Sequence, residues 1–223
     1  SCTTENLDSS IASEETVEVF FATNLADSCT RAYDDGENVD KLYYIVCDDS
    51  ETPIILNKLC GTCDERGTDG KFSFSLSLIK SMTYNIYFWA QSSKAPYSIE
   101  NGVVSINYAN NAVAANNGEL DAFYGSVTLT PEEHGKTQNI SLTRPFAQLN
   151  IGTADYEAAA NAGFKVDRTE VLINYGVVCE SLNLFNGEAS TNTHRIRYTV
   201  NTIPTEAFPV ANYKYISMNY LLV

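Results

Sequence analysis

The stretch Glu15-Thr16-Val17-Glu18-Val19-Phe20-Phe21-Ala22-Thr23-Asn24-Leu25 is the first long apolar and β-branched run of the chain. In an extended strand, successive side chains point to opposite faces, so Val17, Val19 and Phe21 point inward while Glu18, Phe20 and Ala22 point the other way. A loop carrying Thr30-Arg31-Ala32 follows at once, and Val39 to Val46 begins a second hydrophobic strand. A strand tethered through an exposed arginine can be cut away by a trypsin-like protease. The β-sandwich left behind would hold an open groove able to accept another strand.

Working outward, the same period-two alternation recurs in many short runs separated by turn residues, which predicts an all-β fold. Phe72, Phe74, Leu76 and Leu78 alternate with Ser73, Ser75 and Ser77. Tyr84, Ile86, Phe88 and Ala90 form a second ladder offset by Asn85, Tyr87, Trp89 and Gln91, whose aromatic content predicts that this face is covered too. Lys80 to Thr83 is short enough to join the two runs as a hairpin. Asn101-Gly102 is a strong turn signal ahead of Val104, Ile106 and Tyr108, and Asn110 to Gly118 reads as a loop rich in Ala and Asn. Asp121 to Leu129 and Gln138 to Leu142 read as further strands, joined through Pro131 and Gly135.

Thr143-Arg144-Pro145 is a natural crossing point between domains, because proline removes a ladder donor and fixes the backbone. Beyond it the pattern predicts strands at Phe146 to Gly152, Phe164 to Asp167, Thr169 to Asn174, Leu182 to Phe185, Arg195 to Val200 and Tyr213 to Val223. A short helix is expected over Ala154 to Ala162, ended by Gly163. The last strand runs to Leu221-Leu222-Val223, which suggests a polypeptide that continues past this point.

At 223 residues the chain can bury one large β core or two smaller ones, and two are expected. Its 28 acidic against 14 basic residues give a formal net charge of -14, which opposes the clustered cationic contacts that nucleic acid requires. No apolar run approaches the roughly 20 residues that span a bilayer as a helix. Ser1-Cys2, followed by a polar stretch to Glu15, resembles a bacterial lipoprotein with Ser1 as the last signal residue and Cys2 as the acylated residue, so the membrane is reached through a lipid anchor alone.

Five further cysteines are present: Cys29, Cys47, Cys60, Cys63 and Cys179. Cys60-Gly61-Thr62-Cys63 invites a redox or zinc reading, but it leads into a Gly, Asp and Thr-rich loop rather than a helix, and a second ligand pair at close spacing is missing. His134 and His194 lie far from it in sequence. A loop-closing disulfide or inert thiols are the alternatives.

Taken together, Thr30-Arg31-Ala32 followed by Val39-Asp40-Lys41-Leu42-Tyr43-Tyr44-Ile45-Val46, the ladder Tyr84-Asn85-Ile86-Tyr87-Phe88-Trp89-Ala90-Gln91, and Leu142-Thr143-Arg144-Pro145-Phe146-Ala147-Gln148-Leu149-Asn150-Ile151 resemble the Bacteroidales-type fimbrillin family, the subunits and tip lipoproteins of type V pili. The resemblance covers most of the chain. It implies two transthyretin-like β-sandwich domains with Greek-key strand order in tandem: a lipoprotein tether over 1–14, an N-terminal sandwich over 15–143, and an incomplete C-terminal sandwich over 144–223. It further implies palmitoylated export to the cell outer membrane, and a place in a fimbrium on the cell surface. Cleavage after Arg31, between Arg31 and Ala32, would free the first strand, and a strand from another pilus subunit would fill the groove of Val17, Val19 and Phe21. Burying three such side chains contributes about 5 to 8 kcal/mol on area grounds. The partners implied are other pilus subunits, a trypsin-like processing protease and a host or bacterial surface receptor. The family's C-terminal donor strand is expected beyond Val223.

Two other classes compete with this reading. The 14 Tyr, 10 Phe and one Trp could serve a surface glycan-binding lipoprotein, with Tyr87 and Trp89 as the best sugar-stacking pair, although alternation predicts that both pack between strands. Asp48, Asp49 and Glu51, or Asp64 and Glu65, could in principle pair as acid and base, but both clusters sit in polar loops where ionised, solvated groups are expected. No Ser, His and Asp arrangement is recognisable. A non-enzyme is expected, with no catalytic residue, metal ligand or cofactor assigned.

Overall fold

A computed structural model describes residues 14–26, 36–108, 112–200 and 203–223. Cys2, Cys29, Arg31 and Ala32 lie outside them. In chain order the strands are β1 (Thr16–Leu25), β2 (Lys41–Cys47), β3 (Gly61–Cys63), β4 (Phe72–Ile79), β5 (Tyr84–Gln91), β6 (Tyr97–Glu100), β7 (Val103–Ile106), β8 (Ala112–Ala114), β9 (Ala122–Leu129) and β10 (Lys136–Leu142). There follow β11 (Phe146–Thr153), helix α1 (Tyr156–Asn161), β12 (Thr169–Ile173), β13 (Cys179–Asn183), β14 (Ala189–Thr191), β15 (Ile196–Val200) and β16 (Lys214–Leu222). The expected all-β class is met. No helix among the described residues is long and apolar enough to cross a membrane.

The strands form four sheets, ordered β10-β1-β4, β3-β2-β5-β9, β11-β16-β13-β7-β6 with β14 on β13, and β12-β15-β8. The second sheet is covered on both faces, because β2, β5 and β9 are apolar at consecutive positions rather than at alternate ones. On one side Leu42, Val46, Ile86, Phe88, Ala90 and Phe123 pack with Val17, Val19, Phe21, Phe72, Leu78 and Leu142 of the first sheet. On the other, Trp89 and Ala122 join Val104, Phe146, Leu182, Met218, Tyr220 and Leu222 of the third. Phe88 and Trp89 are neighbours in sequence, 0% and 1% exposed, in different cores. The doubly covered face predicted from Tyr87 and Trp89 is therefore present.

Three sequence expectations are corrected, the first being that the loop read over Asn110 to Gly118 contains a short strand, β8. β4 and β5 do not pair as a hairpin: β4 lies against β1 and β5 lies between β2 and β9, so Lys80 to Thr83 carries the chain from one sheet to the sheet facing it. Both runs have an inward apolar row, and two such rows are buried better facing each other across a core than side by side. Phe164 to Asp167 forms no strand, and Phe164 is 71% exposed. The tight turn at Asn101-Gly102 is present, with φ of +49° and +77° joining β6 to β7 as a primed turn requires. A Cβ at Gly102 would also run into the Phe185 ring.

At Thr143-Arg144-Pro145 the chain passes from β10 in the first sheet to β11 in the third. Arg144 Nε donates to both carboxylate oxygens of Asp121 at 3.0 and 2.9 Å, and its guanidinium lies 4.5 Å from the centre of the Phe123 ring. The two charged side chains are 1% and 0% exposed, so the crossing is fixed by an ion pair that neither partner could leave without stranding a buried charge. β7 and β8 precede this crossing, yet they hydrogen-bond with β13 and β15, which follow it, and β6 joins the same sheet through β7.

Candidate functional site: the seat of the first strand

β1 is the middle strand of its sheet. It runs parallel to β10 from Val19 opposite Lys136 to Leu25 opposite Leu142, and antiparallel to β4 from Thr16 opposite Ile79 to Thr23 opposite Phe72. Both backbone edges are therefore hydrogen-bonded, and taking β1 out would expose an unpaired edge on each side of a single slot.

Its inner row is buried level by level. Val17, Val19 and Phe21 are 5%, 2% and 1% exposed, opposite Leu78, Leu76 and Phe74 of β4. The Phe21 ring stacks on Phe74 with centres 5.1 Å apart and 11° between planes, and Phe74 stacks in turn on Tyr44 at 4.3 Å. The row continues to Thr23, which is 0% exposed. A reading based on apolar residue types passes over Thr23, although strict alternation from Val17 would have placed it inside.

The outer row is different. Phe20 is 40% exposed, and it borders an open depression of about 430 Å³ with Ala22, Ser73, Ser75 and Thr137. Around it, short polar contacts hold β1 at its margins. Lys80 Nζ lies 3.2 Å from the Glu15 carboxylate, and the Lys80 N–H donates to the Glu15 carbonyl at 2.8 Å. Ser75 Oγ donates to Glu18 Oε1 at 2.9 Å, while the Glu18 N–H donates to His134 Nδ1 at 3.2 Å. At the far end the Ala26 N–H donates to the Leu142 carbonyl at 2.8 Å. All of these side chains are solvent-facing, so each contributes little beside the buried row.

The other sequence candidates are dispersed or used in packing. Trp89 meets Tyr97 and Phe146 edge-on at 5.8 and 6.4 Å, and Tyr87 packs on Phe185 at 4.9 Å, so both rings are engaged in packing. Cys47, Cys60, Cys63 and Cys179 are free thiols. Burial pushes the Cys60 thiol up, the opposite of what a reactive thiolate needs, and pushes Cys47 up to about 11. Among the described residues, no group of three or more His, Cys, Asp or Glu is placed to hold a metal ion. Asp48 accepts from the Ile54 N–H and from Ser50, which lowers its pKa, whereas a general acid needs it raised. Asp64 faces Lys41 at 3.3 Å.

The fold is shared with solved structures of low sequence identity. A candidate adhesin from Bacteroides ovatus aligns with a TM-score of 0.54 at 13% identity, over 92% of this chain and 68% of that one. A candidate polysaccharide-binding protein (DUF1812) from Bacteroides thetaiotaomicron gives a TM-score of 0.51 at 14% identity, over 82% of this chain and 71% of that one. The tip fimbrial protein Mfa3 from Porphyromonas gingivalis, truncated at its C-terminus, aligns at 0.48 and 10% identity over 93% and 69% of the two chains. The all-β fold expected from the sequence is thus shared with the candidate adhesin and the candidate polysaccharide-binding protein. No curated protein matches the sequence. The model of the Family of unknown function (DUF6562) matches residues 9–223, and the chain belongs to that family.

Proposed function

We propose that this protein is a non-enzymatic structural subunit of a bacterial surface fimbrium with a role in adhesion, and that β1 is a temporary occupant of a slot meant for a neighbouring subunit's strand. Cleavage between Arg31 and Ala32 by a trypsin-like protease frees β1, and a strand from another subunit then adds to β4 and β10. The protein is held at the outer membrane through acylated Cys2 and presents itself to a surface receptor.

The observation that carries this reading is the position of β1: a ten-residue strand with Val17, Val19 and Phe21 seated in a core and partners on both edges. A peripheral strand would leave one open edge and no pocket row. A central one leaves backbone donors and acceptors on both sides with apolar pockets between, the combination that strand addition uses for affinity and specificity. An empty slot of this kind is an aggregation hazard, which supports keeping it filled until assembly.

The glycan-binding alternative loses its best pair of rings, since Tyr87 and Trp89 are engaged with Phe185, Tyr97 and Phe146.

Limited digestion of the folded protein tests the proposal. The expected result is a first cut after Arg31, release of the β1 fragment, and a remaining core that takes up an added apolar strand or builds multimer ladders on a gel. A first cut elsewhere, or a cut core that keeps β1, stays monomeric and is retained on immobilised polysaccharide, overturns it.

A further inference from the structure

We infer that the strand which replaces β1 carries valine, or a residue of the same shape and polarity, at the level now held by Thr23, so that β1 is the weaker of the two occupants of its own slot. This rests on the reading of β1 as displaceable.

Thr23 is 0% exposed and its Oγ1 has no hydrogen-bond partner among the described residues. Its cross-strand neighbours cannot supply one: on β4 it stands opposite Phe72, and on β10 opposite Ile140, which are 0% and 7% exposed. A hydroxyl taken out of water into such surroundings loses its solvent hydrogen bonds and gains none, and the folded state bears that cost. Every other inner level of β1 is filled by a matching group. Val17 and Val19 face Leu78 and Leu76, and Phe21 has its stack on Phe74 with Phe88 behind it at 6.3 Å. The mismatch is therefore confined to one level of an otherwise apolar row.

Valine differs from threonine by a methyl in place of the hydroxyl, so it occupies the same space without the stranded donor. A larger residue would have to displace Phe72 or Ile140. The occupant so specified is a strand of another polypeptide with small β-branched apolar residues at the levels of Val17, Val19 and Thr23 and an aromatic ring at that of Phe21. Its alternate positions are free to be polar, because Glu18 and Phe20 face solvent. The hydroxyl of Thr23 then biases exchange: the slot is closed well enough to fold, and filled better by the incoming strand.

The test uses the full chain with a site-specific protease sequence in place of residues 27–35, so that cutting does not depend on Arg31. After the cut, labelled peptides of residues 14–26, as in the protein or with Thr23→Val, compete for the slot. The Thr23→Val peptide is expected to bind about tenfold more tightly, the scale of relieving one unsatisfied buried hydroxyl. The intact Thr23→Val protein is expected to melt at a higher temperature than its parent. Equal or weaker binding of the Thr23→Val peptide, or an unchanged or lower melting temperature of the intact variant, overturns the inference. If neither peptide enters the slot and the β1 fragment stays bound, the displaceable-strand reading fails and this inference with it. The melting temperatures then still report whether the Thr23 hydroxyl is a defect.

Discussion

β1 and β16 are both long strands flanked on each edge, yet they are held in different ways. β1 buries one row against the second sheet and turns the other, with Phe20 at 40% exposure, toward solvent. β16 lies between β11 and β13 and is buried at consecutive residues: Ser217, Met218, Asn219 and Tyr220 are 1%, 0%, 2% and 3% exposed. Its backbone is also tied to distant loops and strands, since the Met218 N–H donates to Asn116 Oδ1 at 2.7 Å and the Tyr198 hydroxyl donates to the Tyr220 carbonyl at 3.0 Å. A strand with one buried face can leave and expose one core. A strand with two buried faces cannot leave without opening the packing on both sides, so of the pair only β1 is suited to exchange.

The sharpest way to break this comparison is to make the same replacement in both strands. Met218→Thr empties a fully enclosed site and strands a hydroxyl, and is expected to lower stability by about 3 to 5 kcal/mol. Phe20→Thr, on the open face of β1, is expected to cost about 1 kcal/mol or less. Denaturant midpoints at unchanged slope measure both, and equal losses would remove the distinction between the strands.

A second prediction probes the sheet that β1 covers. Desolvation, with smaller contributions from Cys60 and Asp48, pushes the Cys47 thiol up to about 11 from an ordinary 9.0. The folded protein keeps this proton where the unfolded chain gives it up. Stability is therefore whole below pH 9 and falls as pH rises from 9 to 11, by about 2 to 3 kcal/mol at most. Cys47→Ala is expected to flatten that part of the pH–stability curve; an unchanged slope would mean that the thiol is not shielded from solvent.

The smallest effect concerns the margin of β1. Lys80→Ala removes the exposed pair with Glu15, which is expected to contribute about 0.2 to 1 kcal/mol, and a double-mutant cycle with Glu15→Ala isolates the pair itself. Amide exchange at Thr16 and Val17 is expected to quicken while that of Phe21 stays unchanged, so that the buried row, not the fringe, is seen to hold the strand.

Much of this architecture is legible in the sequence because alternation records which way a side chain faces. The rows of β1, β4 and β5 and the double burial around Trp89 follow from it directly, and the turn at Asn101-Gly102 from residue type. Alternation does not record which strand lies alongside. The parallel pairing of β1 with β10 joins segments more than a hundred residues apart, and the separation of β4 from β5 is decided by how two apolar rows meet across a core. The short strands β3, β8 and β14 are three residues each, too brief to show a period. At the slot itself, Val17, Val19 and Phe21 announce themselves by type, whereas Thr23 is polar, and at the crossing Arg144 is a charged residue beside a proline. Their importance comes from complete burial, which residue type alone argues against.

The two ladders that flank β1, one parallel and one antiparallel, overlap from Val19 to Thr23. A pull along the axis of any strand seated there loads those hydrogen bonds in shear, all at once, instead of peeling them open one after another. Tension would be shared between β4 and β10, and a joint made in this slot would resist traction far better than its modest length suggests.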